Sequence, residues 1–188
     1  VSYMLGEQIG YDDRGVTSTF SHGISWGRID WIGNFREGYK VSLSNSDTYN
    51  YYKDEWDFNF NGKLQAHAEF DFIGINSRLM GFYKIGGTNS DAGDVMRGII
   101  DDRIEGDGGM YLNFDLPFKM WIWFMKKWFN GHLSPFFDMA VVRPEDGSFE
   151  LDDAWYSAGL EGFAFLKKAR SIYLRVSVGI DMEAMLVG

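Results

Sequence analysis

The chain of 188 residues contains no cysteine, 3 prolines and 3 histidines. Without cysteine there is no disulfide framework and no thiolate metal site, a profile that suits the cytosol and also suits outer-membrane proteins. His22, His67 and His132 are far apart and fall in neither an HxH nor an HExxH spacing, so neither a metal nor a cofactor is assigned. Positive charge is scarce as well. Lys and Arg total 18 against 27 Asp and Glu, and a net charge of -9 would repel phosphates, which argues against a nucleic-acid partner. Long apolar runs are also missing. The longest, MWIWFM at 120–125, is far below the ~18 residues a membrane helix requires. No segment has a convincing stripe of period 3.6. The opening VSYMLGEQIG has neither a starting Met nor a charged region followed by an apolar one, so the chain reads as a mature or internal piece of a protein.

Aromatic side chains are abundant: 7 Trp, 10 Tyr and 16 Phe make up 18% of the chain. Such residues collect at membrane–water interfaces. In EWDFNFNGKLQAHAEF, residues 55–70, every even position is apolar or glycine and every odd one is charged or polar. Period two marks a strand with two unlike faces. At ~3.3 Å per residue it runs roughly 50 Å, against about 5–6 residues for an ordinary strand. The pattern recurs in 110–124, 154–167 and 170–182, and less regularly in 16–32, 38–52, 72–86 and 132–142. That predicts about eight strands, or nine with VSYMLGEQIGY. Gly23 and Gly27 are expected to mark a bulge. Short turns at 33–37, at 125–131 with its Asn130-Gly131 pair, and at 167–170 alternate with loops at 87–108 and 143–153. Transmembrane β-barrels have that habit. A soluble barrel or sandwich would explain the alternation but not strands of such length with large aromatics opposite the charges. Alternation alone does not show which face is inside, but in a membrane barrel the even face of 55–70, from Trp56 to Phe70, is expected to meet lipid and the odd face, with Asp57, Lys63, His67 and Glu69, to line a wet lumen. The expected fold class is therefore all-β, a transmembrane antiparallel β-barrel or the C-terminal part of a larger one, forming one domain over 1–188.

Few motifs point to chemistry. The acidic stretches SDAGD and DDRIEGDGG do not fit the EF-hand spacing and read as solvated loops. Residues 23–27, GISWG, spell G-x-S-x-G, but a nucleophile elbow needs a strand, a sharp turn and a helix. Ser25 with His22 or His67 leaves only a weak phospholipase alternative. Loop 87–108 is more distinctive. Six acids, Asp91, Asp94, Asp101, Asp102, Glu105 and Asp107, accompany Arg97 and Arg103, and Val95-Met96-Arg97-Gly98-Ile99-Ile100 forms an apolar core around one cation. Such a core suits a loop folded back into a barrel lumen. Arg97 would there need a carboxylate, because an unpaired buried charge is costly. Asp115 and Asp138 are the candidates.

The order MRG in a long loop, GDGGMYLNFDLPF, PFFDMAVV, WYSAGLEGF and YLRVSVGIDM, preceded by FREGYKVSLS, resembles the C-terminal barrel of the BamA/TamA-type outer-membrane assembly and translocation superfamily over about 28–182. The family's loop motif is Val-Arg-Gly-Phe/Tyr, with an arginine that enters the lumen and pairs with acids, including the aspartate of a Phe-x-Asp motif. Arg97 and Gly98 match Arg-Gly, Phe136 and Asp138 match Phe-x-Asp, and Asp115 stands where the family usually has glutamate. Met96 in place of Val and Ile99 in place of the aromatic are departures. The final aromatic-terminated strand and the N-terminal periplasmic repeats are not in the chain, which looks like the C-terminal half of such a barrel or a reduced relative. The resemblance implies a protein of the bacterial cell outer membrane that inserts or translocates other proteins or lipid without covalent catalysis. Its partners would be the lipid bilayer, unfolded outer-membrane clients, and further strands or periplasmic modules. A small outer-membrane channel or structural barrel is the alternative.

Overall fold

The computed structural model describes residues 2–4, 15–32, 35–86, 90–91, 95–99, 104–120, 129–144, 147–167 and 169–182. Twelve strands occur among them: β1 (Ser2–Met4), β2 (Gly15–Ile32), β3 (Phe35–Asn50), β4 (Glu55–Phe70), β5 (Ile73–Ile85), β6 (Ser90–Asp91), β7 (Glu105–Gly106), β8 (Gly108–Asp115), β9 (Phe118–Met120), β10 (Phe129–Arg143), β11 (Trp155–Leu166) and β12 (Ala169–Asp181). The chain is all-β. All but β6 and β7 form one antiparallel sheet in the order β1-β2-β3-β4-β5-β8-β10-β11-β12, with β9 between β5 and β10. The β6–β7 pair is a separate two-stranded ribbon.

The alternation in the sequence is the alternation of the sheet's two faces. Registered partners put Val41, Leu64, Leu79, Leu112, Met139 and Tyr156 in one row on one face. Lys40, Gln65, Arg78, Asn113, Asp138 and Ser157 form a row on the other. The sheet curls with the polar row inside. Trp31 on β2 lies against Phe165 on β11, ring centroids 6.4 Å apart, and Asp138 and Ser157 are wholly buried. The convex face leaves Leu43, Leu64, Leu79, Met110, Leu160 and Val178 exposed, the last 67% accessible. In β4 the odd, polar face is the concave one and the even face the convex one, the orientation expected from residues 55–70. The apolar coat is interrupted by His22, Asn45 and Asp47, which fall on the convex side of β2 and β3. Among the described residues no ladder joins β12 to β1 or β2, so the two outer edges are unpaired there.

Several expectations are corrected. No bulge occurs at Gly23 or Gly27: the β2–β3 register runs unbroken from Thr17↔Asn50 to Ile32↔Phe35. Instead Gly27 (φ +97°) and Gly38 (φ +112°) adopt backbone that side chains avoid, and a Cβ on either would run into the facing strand. Asn130 and Gly131 make no turn; they are ladder residues opposite Phe165 and Ala164. Residues 121–128 lie outside the described residues. The strand expected over 110–124 is interrupted at Leu116–Pro117, where proline has no N–H to give the ladder. Its register survives, since Asp115↔Phe136 and Phe118↔Leu133 keep the same offset. The 51–54 turn closes because Asn50 Oδ1 accepts from the backbone N–H of Tyr52 (2.9 Å) and Lys53 (3.2 Å).

Candidate functional site: an arginine held by three carboxylates

The segment 95–99 leaves the end of the sheet where the β3–β4 turn lies and packs against the concave wall. Met96 and Ile99 are buried, and with Ile104 they cluster against Tyr111 of β8 and Ala140 of β10. This is why an apolar stretch stands in an acidic loop. Ile100 lies outside the described residues.

Arg97 lies between these anchors with its guanidinium largely buried. Its Nε donates to Asp138 Oδ2 at 2.9 Å and its Nη2 to Asp138 Oδ1 at 2.6 Å, a two-pronged fork that matches carboxylate geometry. The backbone N–H of Arg97 donates to the same Oδ2 at 2.9 Å. Nη1 donates to Asp115 and, at 3.2 Å, to Glu161 Oε2. The guanidinium also stacks 4.1 Å over the Phe136 ring. Four neighbouring strand positions therefore converge on one cation: Asp115 on β8, Phe136 and Asp138 on β10, and Glu161 on β11.

Charge is balanced by a second layer. Arg175 on β12 donates to Glu161 through Nε (2.5 Å) and Nη2 (2.9 Å). Arg78 on β5 donates to Asn113 Oδ1 at 2.9 Å, and Asn113 Nδ2 donates to the Val95 carbonyl at 3.3 Å. Three acids thus face three arginines across a few ångströms of wall.

Glycines make the fit possible. Gly98 has φ +84°, and a Cβ there would lie 2.8 Å from Gly179 Cα. A Cβ on Gly179 would lie 3.0 Å from Phe136 Cζ, and one on Gly159 would meet the same ring. Gly159 and Gly179 sit opposite each other on β11 and β12, leaving a smooth floor for the Phe136 ring and the Gly98 backbone.

The structure therefore brings together Arg97, Gly98, Asp115, Phe136 and Asp138. Sequence reasoning missed Glu161, Arg175, Gly159 and Gly179. Glu161 and Gly159 shared the polar parity of β11, and that parity was the available signal. The structure does not join Ser25 to a histidine. Ser25 pairs with Ser42 and His22 with Asn45, on opposite faces of β2, while His67 lies two strands away opposite Gly38 and bonds Asn76 Oδ1 through Nδ1 at 2.7 Å. Among the described residues no group of three or more His, Asp or Glu is placed to hold a metal. The arginine cluster has each carboxylate engaged by a guanidinium, so its chemistry is that of a fixed anchor.

Comparison of the chain with family models, curated proteins and solved structures finds no match in any of the three.

Proposed function

We propose that this chain forms the wall, or part of the wall, of a bacterial outer-membrane β-barrel of the BamA/TamA type, which inserts or translocates other proteins without covalent catalysis. The observation that carries the reading is the Arg97 fork: an in-turned loop pinned to Asp138, Asp115 and Glu161 on the polar side of a sheet whose other side is apolar. Water-filled surroundings would leave the convex rows of Leu, Val and aromatic side chains without partners, whereas hydrocarbon accommodates them. In that setting the outer edges, which have no ladder partner among the described residues, meet further strands, because a spanning strand must have its backbone groups paired. The bilayer and unfolded barrel clients are its partners.

Depletion of the protein in its host tests this. Folded outer-membrane barrels should decline and their unfolded precursors accumulate, and the Arg97→Ala variant should fail to restore them. Single-channel conductance by the purified protein, with other barrels unaffected by depletion, would instead assign it to the small channels.

A further inference from the structure

The concave side of the sheet encloses a cavity of about 890 Å³ beside the arginine cluster, within the roughly 300–1,000 Å³ typical of small-molecule sites. Its lining has two unlike parts. Toward the end of the sheet where β2 passes to β3, the wall is aromatic: Trp31 meets Phe165, and Phe163 stacks on Phe165 with centroids 6.1 Å apart. Arg36 stands opposite Trp31 at that same end, where the aromatic part meets a cationic and polar part that runs on along the wall through Gln65, His67 and Arg78.

The charged groups lining the cavity are four arginines, Arg36, Arg78, Arg97 and Arg175, against Asp115 and Glu161. Asp138 behind Arg97 reduces that excess to one positive charge, in a chain whose net charge is -9. Two of the arginines form no ion pair among the described residues, and since Arg78 belongs to the balanced cluster of three acids and three arginines, the excess charge is that of Arg36. Arg36 rests on the Trp31 ring at 4.7 Å with no carboxylate partner among the described residues, and Arg78 donates to the Asn113 amide. Lys40 stands opposite Gln65 on the same face, and Lys63 two residues before it, also without acid partners among the described residues. His67, 9% exposed, adds a second sign. With Nδ1 engaged by Asn76 Oδ1, its buried Nε2 has no hydrogen-bond partner in the protein. A buried acceptor left unmatched is costly, and a ligand hydroxyl would satisfy it.

We propose that this cavity binds an anionic amphiphile, with a phosphate-type head carrying hydroxyl groups held by Arg36, Arg78 and His67, and an apolar tail against Trp31, Phe163 and Phe165. Neither half of the lining explains the other's ligand. A free phosphate has no use for the aromatic wall, and a neutral chain has none for the unpaired arginines. The inference does not rest on the assembly reading, because it follows from the cavity alone.

The test uses the full chain purified in a neutral detergent, with native mass spectrometry and competition binding. The probes are lysophosphatidylglycerol, lysophosphatidylcholine and glycerol 3-phosphate. One lysophosphatidylglycerol per chain should bind at least about tenfold more tightly than lysophosphatidylcholine, which has the same phosphate but replaces the hydroxyls offered to His67 with a cation that the arginines repel. Arg36→Gln should weaken it by a similar factor and Trp31→Leu should also weaken it. Both residues are more than half exposed or at the sheet's end, and unchanged heat-modifiable migration of each variant shows that it has folded. Equal binding of the two lipids, or binding indifferent to both variants, would place the lipid on the convex face and overturn the proposal. Glycerol 3-phosphate competing as well as the lipid would overturn the tail site. None of these results touches the depletion phenotype, so failure here and failure of the assembly reading are separable.

Discussion

Replacing Arg97 with alanine removes the centre of the charge cluster. Asp138 loses both prongs of the fork and keeps only the backbone N–H of residue 97; Asp115 loses its guanidinium partner; Glu161 keeps Arg175. Asp138 is fully buried, so its charge cannot recover hydration where it stands. Breaking a buried pair from one side costs about 3–5 kcal/mol, because the remaining charge is uncompensated. At about 1.4 kcal/mol per factor of ten, that is at least a hundredfold in the equilibrium between clamped and released loop. The cost has a ceiling. Once it exceeds what Met96 and Ile99 gain by burial, segment 95–99 leaves the wall, water reaches Asp138, and the damage stays local. The variant should therefore retain its sheet but lose loop protection. Limited proteolysis with subtilisin should cut the 87–108 loop in Arg97→Ala under conditions where the parent is resistant, while the urea midpoint of the whole protein moves less. Arg97→Lys should be intermediate, since one ammonium cannot reproduce the fork. Full protease resistance in Arg97→Ala would refute the account of the cluster as the loop's anchor.

Leu79, half-exposed at the middle of β5, tests the convex face. In a bilayer Leu79→Arg should cost about 2–4 kcal/mol in folding equilibrium measurements, whereas on a water-facing surface it would stay within roughly 0.5; a near-zero effect in lipid vesicles would sink the lipid-facing assignment. Gly98→Ala should also loosen the loop, by about 1–2 kcal/mol for the left-handed backbone alone, with overlap against Gly179 added. Hydrogen exchange of the 95–99 amides reads this, and unaltered protection would contradict it. At the end of β10, away from the cluster, Arg143 donates to Asp107 Oδ1 at 2.7 Å and holds the Asp107 carboxyl below the usual aspartate range. A depressed folded-state value means that the contact stabilises fully above the unfolded aspartate pKa of about 3.9 and is lost as pH falls through the lower, folded value. Carboxyl NMR titration should show Asp107 protonating late on acidification, and Arg143→Gln should return it to the ordinary range.

Much of the wall is legible in the sequence because a face that meets one medium along its whole length must keep strict parity. Residues 55–70 alternate without a lapse, and β4 spans Glu55–Phe70. Parity alone is symmetric, so the choice of the polar face as the inner one rested on strand length and aromatic load, and the Arg97–Asp138 fork lies on that polar side. Turns were read less well. Asn130-Gly131 has turn chemistry, yet cross-strand pairing to Phe165 and Ala164 takes precedence over that local preference. Pro117 keeps the alternation of 110–124 and yet interrupts the ladder, because it has no N–H to give. At the site, Asp115 and Asp138 were found because a buried arginine demands acids nearby. Glu161 and the two floor glycines were missed because their role depends on neighbours far along the chain: Gly179 matters only because Phe136 and Gly98 arrive above it.

That floor has a mechanical consequence. β12 has a neighbour on one side only among the described residues, and its inner surface at Gly179 touches the backbone of Gly98 with no side chain between them to give way. The residue before Gly98 is Arg97, whose fork grips β10 two strands away. Edge strand and charge cluster are therefore joined by a rigid linkage one residue long. A tilt of β12 away from the wall would be felt at Asp138 at once, and a loosened fork would leave the edge free to swing. The loop serves as a tie rod across the curl of the sheet, and the freedom of the edge strand is set from inside.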